Sequence, residues 1–150
     1  MKLSKFSDER LIAFSLKSTK KDEVMRELVD LLSSSPMVKD AEQLFTDIQA
    51  RESLVTTGIG HGVAFPHAKT KSVKGIVIAF ARSNAGVDFD AMDHKPVHLF
   101  FIIAAPEDAI GAHLHVMSQL SFLMKQDAVR EKLMTATSQG EVLALMDNLD

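Results

Sequence analysis

Residues 97–104 read VHLFFIIA, and this stretch decides the fold class because seven of its eight side chains are apolar. An unbroken run of β-branched and aromatic residues is typical of a strand that is buried on both faces. Residues 75–81, GIVIAFA, have the same character. Neither run approaches the roughly 20 residues that are needed to span a bilayer. Two strands without a polar face need cover on both sides, so the sequence predicts a sheet between two layers of helices.

Helical spacing of apolar residues predicts five helices around these strands. Thr19 and Asp22 form a capping-box-like pair before the first helix, and Asp40 with Gln43 starts the second, which would end near Arg51. A short first strand is expected over residues 10–16, and later helices over residues 110–125, 128–134 and from 138 onward. Because strands and helices mix without strict alternation, we expect one α/β domain of α+β-like organisation over residues 1–150, with a mixed, mostly buried sheet.

Composition limits the classes of function. The net charge of −3 argues against a nucleic-acid or anionic-membrane surface, since both need clustered Lys and Arg. Without cysteine the chain can form neither a disulfide nor a thiolate metal site, and it has no Cys nucleophile. The N-terminal segment lacks the apolar core of a signal peptide. We therefore expect a cytoplasmic protein with no nucleic-acid partner and no segment inserted in a membrane.

Residues 58–69, GIGHGVAFPHAK, place a histidine directly after a proline. Pro66 lacks a backbone donor, so we expect the strand ladder to stop there and His67 to lie at the rim of the sheet. The three glycines would leave N–H groups available to an anion. A neutral imidazole beside such a loop could accept a phosphoryl group. The alternative is a turn histidine without chemistry, since a glycine-rich loop alone is a weak signal.

A second candidate lies in the predicted helix over residues 110–125. His113 shares the inward stripe with Met117, Leu120 and Met124, whereas His115 points about 200° away from it. A polar group on that face needs a hydrogen-bond partner. The alternative is a core-edge histidine that bonds to a backbone carbonyl.

The remaining histidines give weaker signals. His61 lies inside the glycine run, His94 in a predicted turn, and His98 on a strand. A metal site that uses His67 and His113 is a third, weaker alternative, because the sequence has no HExxH pattern and no pair of histidines with metal-ligand spacing on a helix.

Three ordered stretches resemble one protein family. Residues 51–69, RESLVTTGIGHGVAFPHAK, are similar to the signature of the EIIA domains of the fructose–mannitol class. This class belongs to the bacterial phosphoenolpyruvate-dependent sugar phosphotransferase system and includes the nitrogen-regulatory EIIA proteins. Residues 86–93, GVDFDAMD, and 104–107, AAPE, agree in order and spacing, and the latter stretch is followed by the pair His113-Leu114. The resemblance covers nearly the whole chain.

The resemblance implies a role for each matching residue. His67 corresponds to the family's phospho-accepting histidine, Arg51 to an arginine that steadies phosphate oxygens, and His113 to a second active-site histidine. The phosphoryl donor would be the phosphocarrier protein HPr. The acceptor would be an EIIB protein, necessarily on a separate chain because an EIIB of this class uses a Cys. The resemblance implies no cofactor and no metal. Position 61 commonly carries a small or amide residue in this family, so the role of His61 stays open.

Two functions follow from the resemblance. The first is a phosphoryl carrier for sugar uptake, an enzyme in the sense of a phosphotransferase with a phosphohistidine intermediate. The alternative is a nitrogen-regulatory type of EIIA, whose phosphorylation state controls binding to other proteins. In both cases we expect partners to dock on an apolar patch around His67, with Phe65 and Ile59 as candidate members. The sugar, the regulatory target and the oligomeric state do not follow from the sequence.

Overall fold

The computed structural model describes residues 2–148, which form five α-helices and one six-stranded sheet. Two short 3₁₀ turns, Leu3–Phe6 and Glu9–Leu11, precede the first strand. The strands are β1 (Ile12–Ala13), β2 (Gly58–Gly60), β3 (Val63–Ala64), β4 (His67–Lys69), β5 (Val77–Val87) and β6 (Val97–Ala105). The helices are α1 (Lys21–Leu32), α2 (Ala41–Leu54), α3 (Ile110–Met124), α4 (Asp127–Thr135) and α5 (Gln139–Met146).

The two apolar runs form the centre of the sheet. β5 and β6 pair antiparallel, with Phe80 opposite Phe101. The strand order is β1-β5-β6-β3-β2, and β4 also pairs with β6. β1 runs parallel to β5, β3 and β4 run parallel to β6, and β2 runs antiparallel to β3. The sheet is therefore mixed, as the sequence predicted.

Alternate side chains of β6 enter two separate cores, because successive residues of a strand point to opposite faces. Phe100 and Ile102 pack with residues of α1 and α2 on one face. Phe101 and Ile103 pack with residues of α3, α4 and α5 on the other. The prediction of a sheet covered by helices on both faces is confirmed.

Some predicted boundaries differ from the structure. The expected strand over residues 10–16 is a 3₁₀ turn followed by the two residues of β1, and β5 continues six residues beyond residue 81, to Val87. Thr19 does not cap α1: the N-cap is Lys20, and its side chain makes no capping hydrogen bond. Asp40 and Ser138 do cap their helices, accepting from the backbone N–H of Gln43 (3.1 Å) and Glu141 (3.2 Å).

The ladder along β6 is interrupted at Phe65 and Pro66, as expected, but it does not stop there. β3 and β4 lie end to end along one side of β6, with Val63 opposite Leu99 and His67 opposite Ile103. The Pro66 carbonyl accepts a hydrogen bond from the Ile103 N–H at 3.0 Å. Proline lacks only the N–H, so a register that needs its carbonyl alone can run past it. β4 pairs only with β6 among the described strands, which leaves His67 at a sheet edge.

Candidate active site

The His67 ring is fixed by a backbone carbonyl. Its Nδ1 lies 2.7 Å from the carbonyl oxygen of Phe65. Since a carbonyl oxygen can only accept, Nδ1 carries the hydrogen and donates it. In the neutral ring Nε2 is then the nitrogen with a free lone pair. The strand thus presents one defined nitrogen of one imidazole for chemistry.

His113 faces His67 from the neighbouring helix. It lies in the first turn of α3 and is 7% exposed, whereas His115 is exposed, so the helical stripe identified the inward residue correctly. The centroids of the His67 and His113 rings are 5.5 Å apart. The Nε2 atom of His113 is buried and has no hydrogen-bond partner in the described part of the chain. A buried polar atom without a partner is costly, which makes it a candidate contact for a ligand.

Both imidazoles have lowered pKa values. The pKa of His67 falls below the ordinary 6.5, mainly through burial, although the hydrogen bond to Phe65 opposes the shift. Burial lowers the pKa of His113 to about 4, and the proximity of His67 and of the Lys69 cation adds to the effect. Both rings are therefore neutral at pH 7, which is the nucleophilic form of the side chain.

Arg51 reaches the same cleft from α2. The structure brings Arg51, His67 and His113 together along one open cleft of about 560 Å³. Arg51 lies in the last turn of α2, where one of its guanidinium nitrogens donates to the Val55 carbonyl at 3.1 Å. The cleft is lined by Asp47, Ala50, Arg51, Leu54, His67, Ala68, Lys69 and His113. A guanidinium beside two neutral imidazoles is suited to binding a phosphate-like anion.

Two charged residues of this cleft were not predicted from the sequence. Asp47 precedes Arg51 by four residues, one turn of the same helix, and Lys69 follows His67 by two residues of the same strand. Helical and strand periodicity could have identified both residues. The Asp47 carboxylate is already engaged, because it accepts hydrogen bonds from the Gln43 amide (2.8 Å) and the Thr70 hydroxyl (2.6 Å).

A buried carboxylate beside Arg51 holds the end of α2 in place. Glu52 accepts hydrogen bonds from the N–H (2.9 Å) and the hydroxyl (2.5 Å) of Thr57, the residue before β2. Its carboxylate also lies 3.1 Å from the Lys21 ammonium of α1. Each hydrogen bond to a charged group is worth about 1.5–3 kcal/mol, so this cluster ties α1, α2 and β2 together next to the cleft.

The GVDFDAMD stretch supports the hairpin rather than the cleft. The Gly58 carbonyl accepts from the Met92 N–H at 2.9 Å, and the Thr56 hydroxyl donates to the Phe89 carbonyl at 3.2 Å. A Cβ added to Gly58 would lie 2.8 Å from the Cβ of Ala91, so only glycine fits here. The motif therefore packs against the start of β2.

The glycine-rich loop does not line the His67 cleft, contrary to expectation. Residues 60–62 all have positive φ, including His61 at +57°, and they form the tight turn between β2 and β3. None of the described glycines lines the cleft. His61 and His98 line a different cleft, and the Nδ1 of His98 lies 2.8 Å from the Ser83 carbonyl oxygen. Within residues 2–148 no group of three or more His, Asp or Glu side chains is arranged to hold a metal ion.

The two residues expected in the docking patch do not lie on exposed surface beside His67. Phe65 is 2% exposed and packs against Phe101, so it cannot contact a partner. Ile59 is partly exposed, but it lies on the β2 side with the glycine turn. Large apolar side chains are exposed closer to the site: Leu54 (76%) lines the cleft, and Leu114 (69%) follows His113 directly.

The sequence matches a known protein family. Residues 5–149 match the family described as phosphoenolpyruvate-dependent sugar phosphotransferase system, EIIA 2. The chain belongs to this family. Members of the EIIA family carry phosphoryl groups between proteins of the phosphotransferase system, and the chain is accordingly a phosphoryl carrier.

The relatives include sugar-specific EIIA proteins and nitrogen regulatory proteins. The chain is 38% identical to the fructose-specific EIIA component of Haloferax volcanii, with 93% of this chain and 91% of that protein covered. It is 37% identical to the fructose-specific EIIABC component of Bacillus subtilis, in which it spans only 24% of the longer protein. It is also 34% identical to a nitrogen regulatory protein of Pseudomonas aeruginosa, with 77% of this chain and 75% of that protein covered.

Solved structures of EIIA proteins have the same fold. The nitrogen regulatory protein IIA-Ntr of Neisseria meningitidis superposes with a TM-score of 0.89 at 37% identity, with 96% of this chain and 98% of that chain covered. The mannitol IIA of Escherichia coli superposes with a TM-score of 0.77 at 26% identity, with 91% and 96% covered. No helix in the described residues has the length and apolar character that crossing a membrane requires.

Proposed function

We propose that this EIIA domain carries its phosphoryl group on Nε2 of His67. The observation that supports this most directly is the 2.7 Å hydrogen bond from Nδ1 to the Phe65 carbonyl, which leaves Nε2 as the free nitrogen beside Arg51 and His113. Loading would make the chain a phosphotransferase that works through a phosphohistidine intermediate.

The chemical step is an in-line displacement at phosphorus. The lone pair of Nε2 forms the new N–P bond while the bond between phosphorus and the donor breaks, and the electron pair of the broken bond stays on the donor atom. His67 keeps its hydrogen on Nδ1, so the Phe65 carbonyl stabilises the positive charge that the ring acquires. The same contact orients the ring before the donor arrives.

Arg51 and His113 would act on the phosphoryl oxygens. The guanidinium is a fixed cation with several donors, and charge stabilisation of this kind is a main source of rate in phosphoryl transfer. The unpartnered Nε2 of His113 lies within the same cleft, where a phosphoryl oxygen would satisfy it in the tautomer that has its hydrogen there. A neutral His113 donates this hydrogen bond without adding a further positive charge to the cleft.

The partners follow from the family. We infer that HPr supplies the phosphoryl group and that a separate EIIB chain receives it. One solved complex joins the mannitol enzyme IIA of Escherichia coli, 25% identical to this chain, to phosphorylated enzyme IIB. The exposed Leu54, which lines the cleft, and Leu114, which follows His113, supply an apolar surface for such proteins. We also infer a cytoplasmic location, since a chain without cysteine fits a reducing compartment.

A reconstitution tests this proposal. The protein is incubated with phosphoenolpyruvate, Enzyme I and HPr, and acid-labile phosphate is measured on wild type, His67→Gln and His61→Gln. We expect labelling of wild type and of His61→Gln and none of His67→Gln, since His61 lies in the hairpin turn away from the cleft. Labelling that persists in His67→Gln would rule out His67 as the acceptor.

A regulatory role is the second candidate, and the superposition with IIA-Ntr at a TM-score of 0.89 favours it. In this case phosphorylation of His67 would change binding to a protein other than an EIIB. Phosphorylated and unphosphorylated protein are compared for transfer to purified EIIB and for partners retained from a lysate. Rapid transfer to EIIB without a state-dependent partner would support transport, and the reverse would support regulation.

A further inference from the structure

Lys69 shares a strand face with His67. The side chain of Ala68, between them, enters the core that contains α1 and α2. Because side chains alternate along a strand, His67 and Lys69 project to the other side, with Cα atoms about 7 Å apart. Both residues line the cleft that also contains Arg51 and His113.

The charge of Lys69 has no counter-ion in the cleft. The ion pairs of the described residues include neither Lys69 nor Arg51. Asp47 is the one carboxylate among the described lining residues, and its two oxygens already accept from Gln43 and Thr70. The cleft lining therefore carries two cations and one occupied carboxylate, an excess of positive charge that an incoming anion would neutralise.

The Lys69 ammonium acts on both imidazoles. It contributes to the lowered pKa of His67, after burial and the Arg51 cation, and to that of His113, after burial and the proximity of His67. Both effects agree with the geometry, which places Lys69 in the lining of the cleft that also contains His67 and His113.

We propose that Lys69 is a further phosphate-binding residue, whose ammonium pairs with the oxygens of the phosphoryl group on His67. This rests on the proposed function of His67. Arg51 is held in part by the Val55 carbonyl, whereas Lys69 is exposed on a flexible stem. Lysine supplies a mobile point charge that can follow the oxygens as the N–P bond forms and breaks. Lys69 thus stabilises the loaded carrier as well as the transition state.

A pair of lysine variants tests this inference. Lys69→Met and Lys71→Met remove the same charge two residues apart, and Lys71 is exposed but does not line the cleft. The rate constant of transfer from phospho-HPr is measured at saturating donor. We expect Lys69→Met to be about tenfold slower, as for the loss of one charge-assisted hydrogen bond, with Lys69→Arg near wild type and Lys71→Met unchanged.

NMR titration of the unphosphorylated protein supplies a second readout. Removal of the cation should raise the pKa of His113 in Lys69→Met and leave it unchanged in Lys71→Met, which a purely structural role would not predict. Isolated phosphorylated Lys69→Met should also hydrolyse at a different rate from phosphorylated wild type, in the absence of any partner.

Two results would overturn the inference. If Lys69→Met raised only the KM for phospho-HPr, as a docking variant such as Leu54→Ser should, Lys69 would be a partner contact. If Lys69→Met matched Lys71→Met in transfer, titration and hydrolysis, Lys69 would have no role. If the proposed function itself were wrong, the result would differ from both of these, because wild type would then take no phosphate on His67.

Discussion

His61 and His67 are six residues apart in one glycine-rich stretch, yet the two regions around them differ in every property that matters for chemistry. His61 has a strained backbone with φ of +57°, an exposed side chain and a place in a hairpin turn. His67 lies in a regular strand and is fixed by a carbonyl at 2.7 Å beside a second histidine. The glycines indicate where the turn lies, whereas the residues that α2 and α3 place beside His67 define the site. Unusual backbone and useful chemistry are separate here, although strain often accompanies function.

The strongest test of this contrast is Arg51→Met. Loss of a donor aimed at developing charge lowers rate constants by about 10²–10³-fold, so transfer from saturating phospho-HPr should fall by that factor. Arg51→Lys should recover only part of it, because an ammonium lacks the planar fork. His61→Ala is the matched change in the hairpin and should stay within about twofold of wild type. A rate for Arg51→Met within threefold of wild type would place the phosphoryl group away from α2.

The next largest effect concerns stability at low pH. The pKa of His113 is about 4 in the folded chain against 6.5 as the ordinary value. Between these values the unfolded chain binds a proton that the folded chain does not. The stability that depends on a neutral His113 is therefore fully present above pH 6.5 and is lost as the pH falls towards 4. At 1.36 kcal/mol per unit, the loss amounts to about 3 kcal/mol.

Urea unfolding at pH 7 and at pH 4 measures this loss. His113→Gln should lose less stability than wild type over that interval, by about 3 kcal/mol, while the exposed His115→Gln should behave as wild type. Equal losses in His113→Gln and wild type would show that the pKa of His113 is not depressed in the folded protein.

The smallest effect belongs to the hairpin. Gly62 has φ of +75°, and a Cβ added there would meet no atom closer than 3.8 Å. Gly62→Ala should therefore cost only the left-handed backbone strain, about 1–2 kcal/mol of unfolding free energy, with transfer from phospho-HPr unchanged. Gly140→Ala is the control, since Gly140 lies in α5 with open space around it. This variant should have an unfolding free energy about 0.5–1 kcal/mol higher than wild type. Impaired transfer in Gly62→Ala would mean that the hairpin takes part in the chemistry after all.

The fold could be predicted from the sequence because helices and buried strands produce a short-range periodicity of apolar residues. The two apolar runs required a sheet with two covered faces, and the stripe on α3 separated His113 from His115. The site was harder to predict, since it depends on how β3 and β4 align against β6. Because of that register, the Phe65 carbonyl accepts a hydrogen bond from Nδ1 of His67 and the Phe65 side chain is buried.

The expectations that proved wrong share this cause. A proline reads locally as the end of a ladder, and a glycine run reads locally as an anion-binding loop. Only the hydrogen bond from the Ile103 N–H to the Pro66 carbonyl, and the position of the glycine turn away from the cleft, reverse both conclusions. Asp47 and Lys69 stand at helical and strand spacing from Arg51 and His67, and the two pairs form one cleft because α2 packs beside β4.

The collinear path of β3 and β4 along β6 has a consequence for the speed of the carrier. A nucleophile on a mobile loop must be ordered at each meeting with a donor, and that motion can limit turnover. Here the strand holding His67 is tied to the centre of the sheet through Pro66 and Ile103, so the ordering is complete once the chain has folded. The pace of such a relay is then set by how often the proteins meet and how quickly they separate.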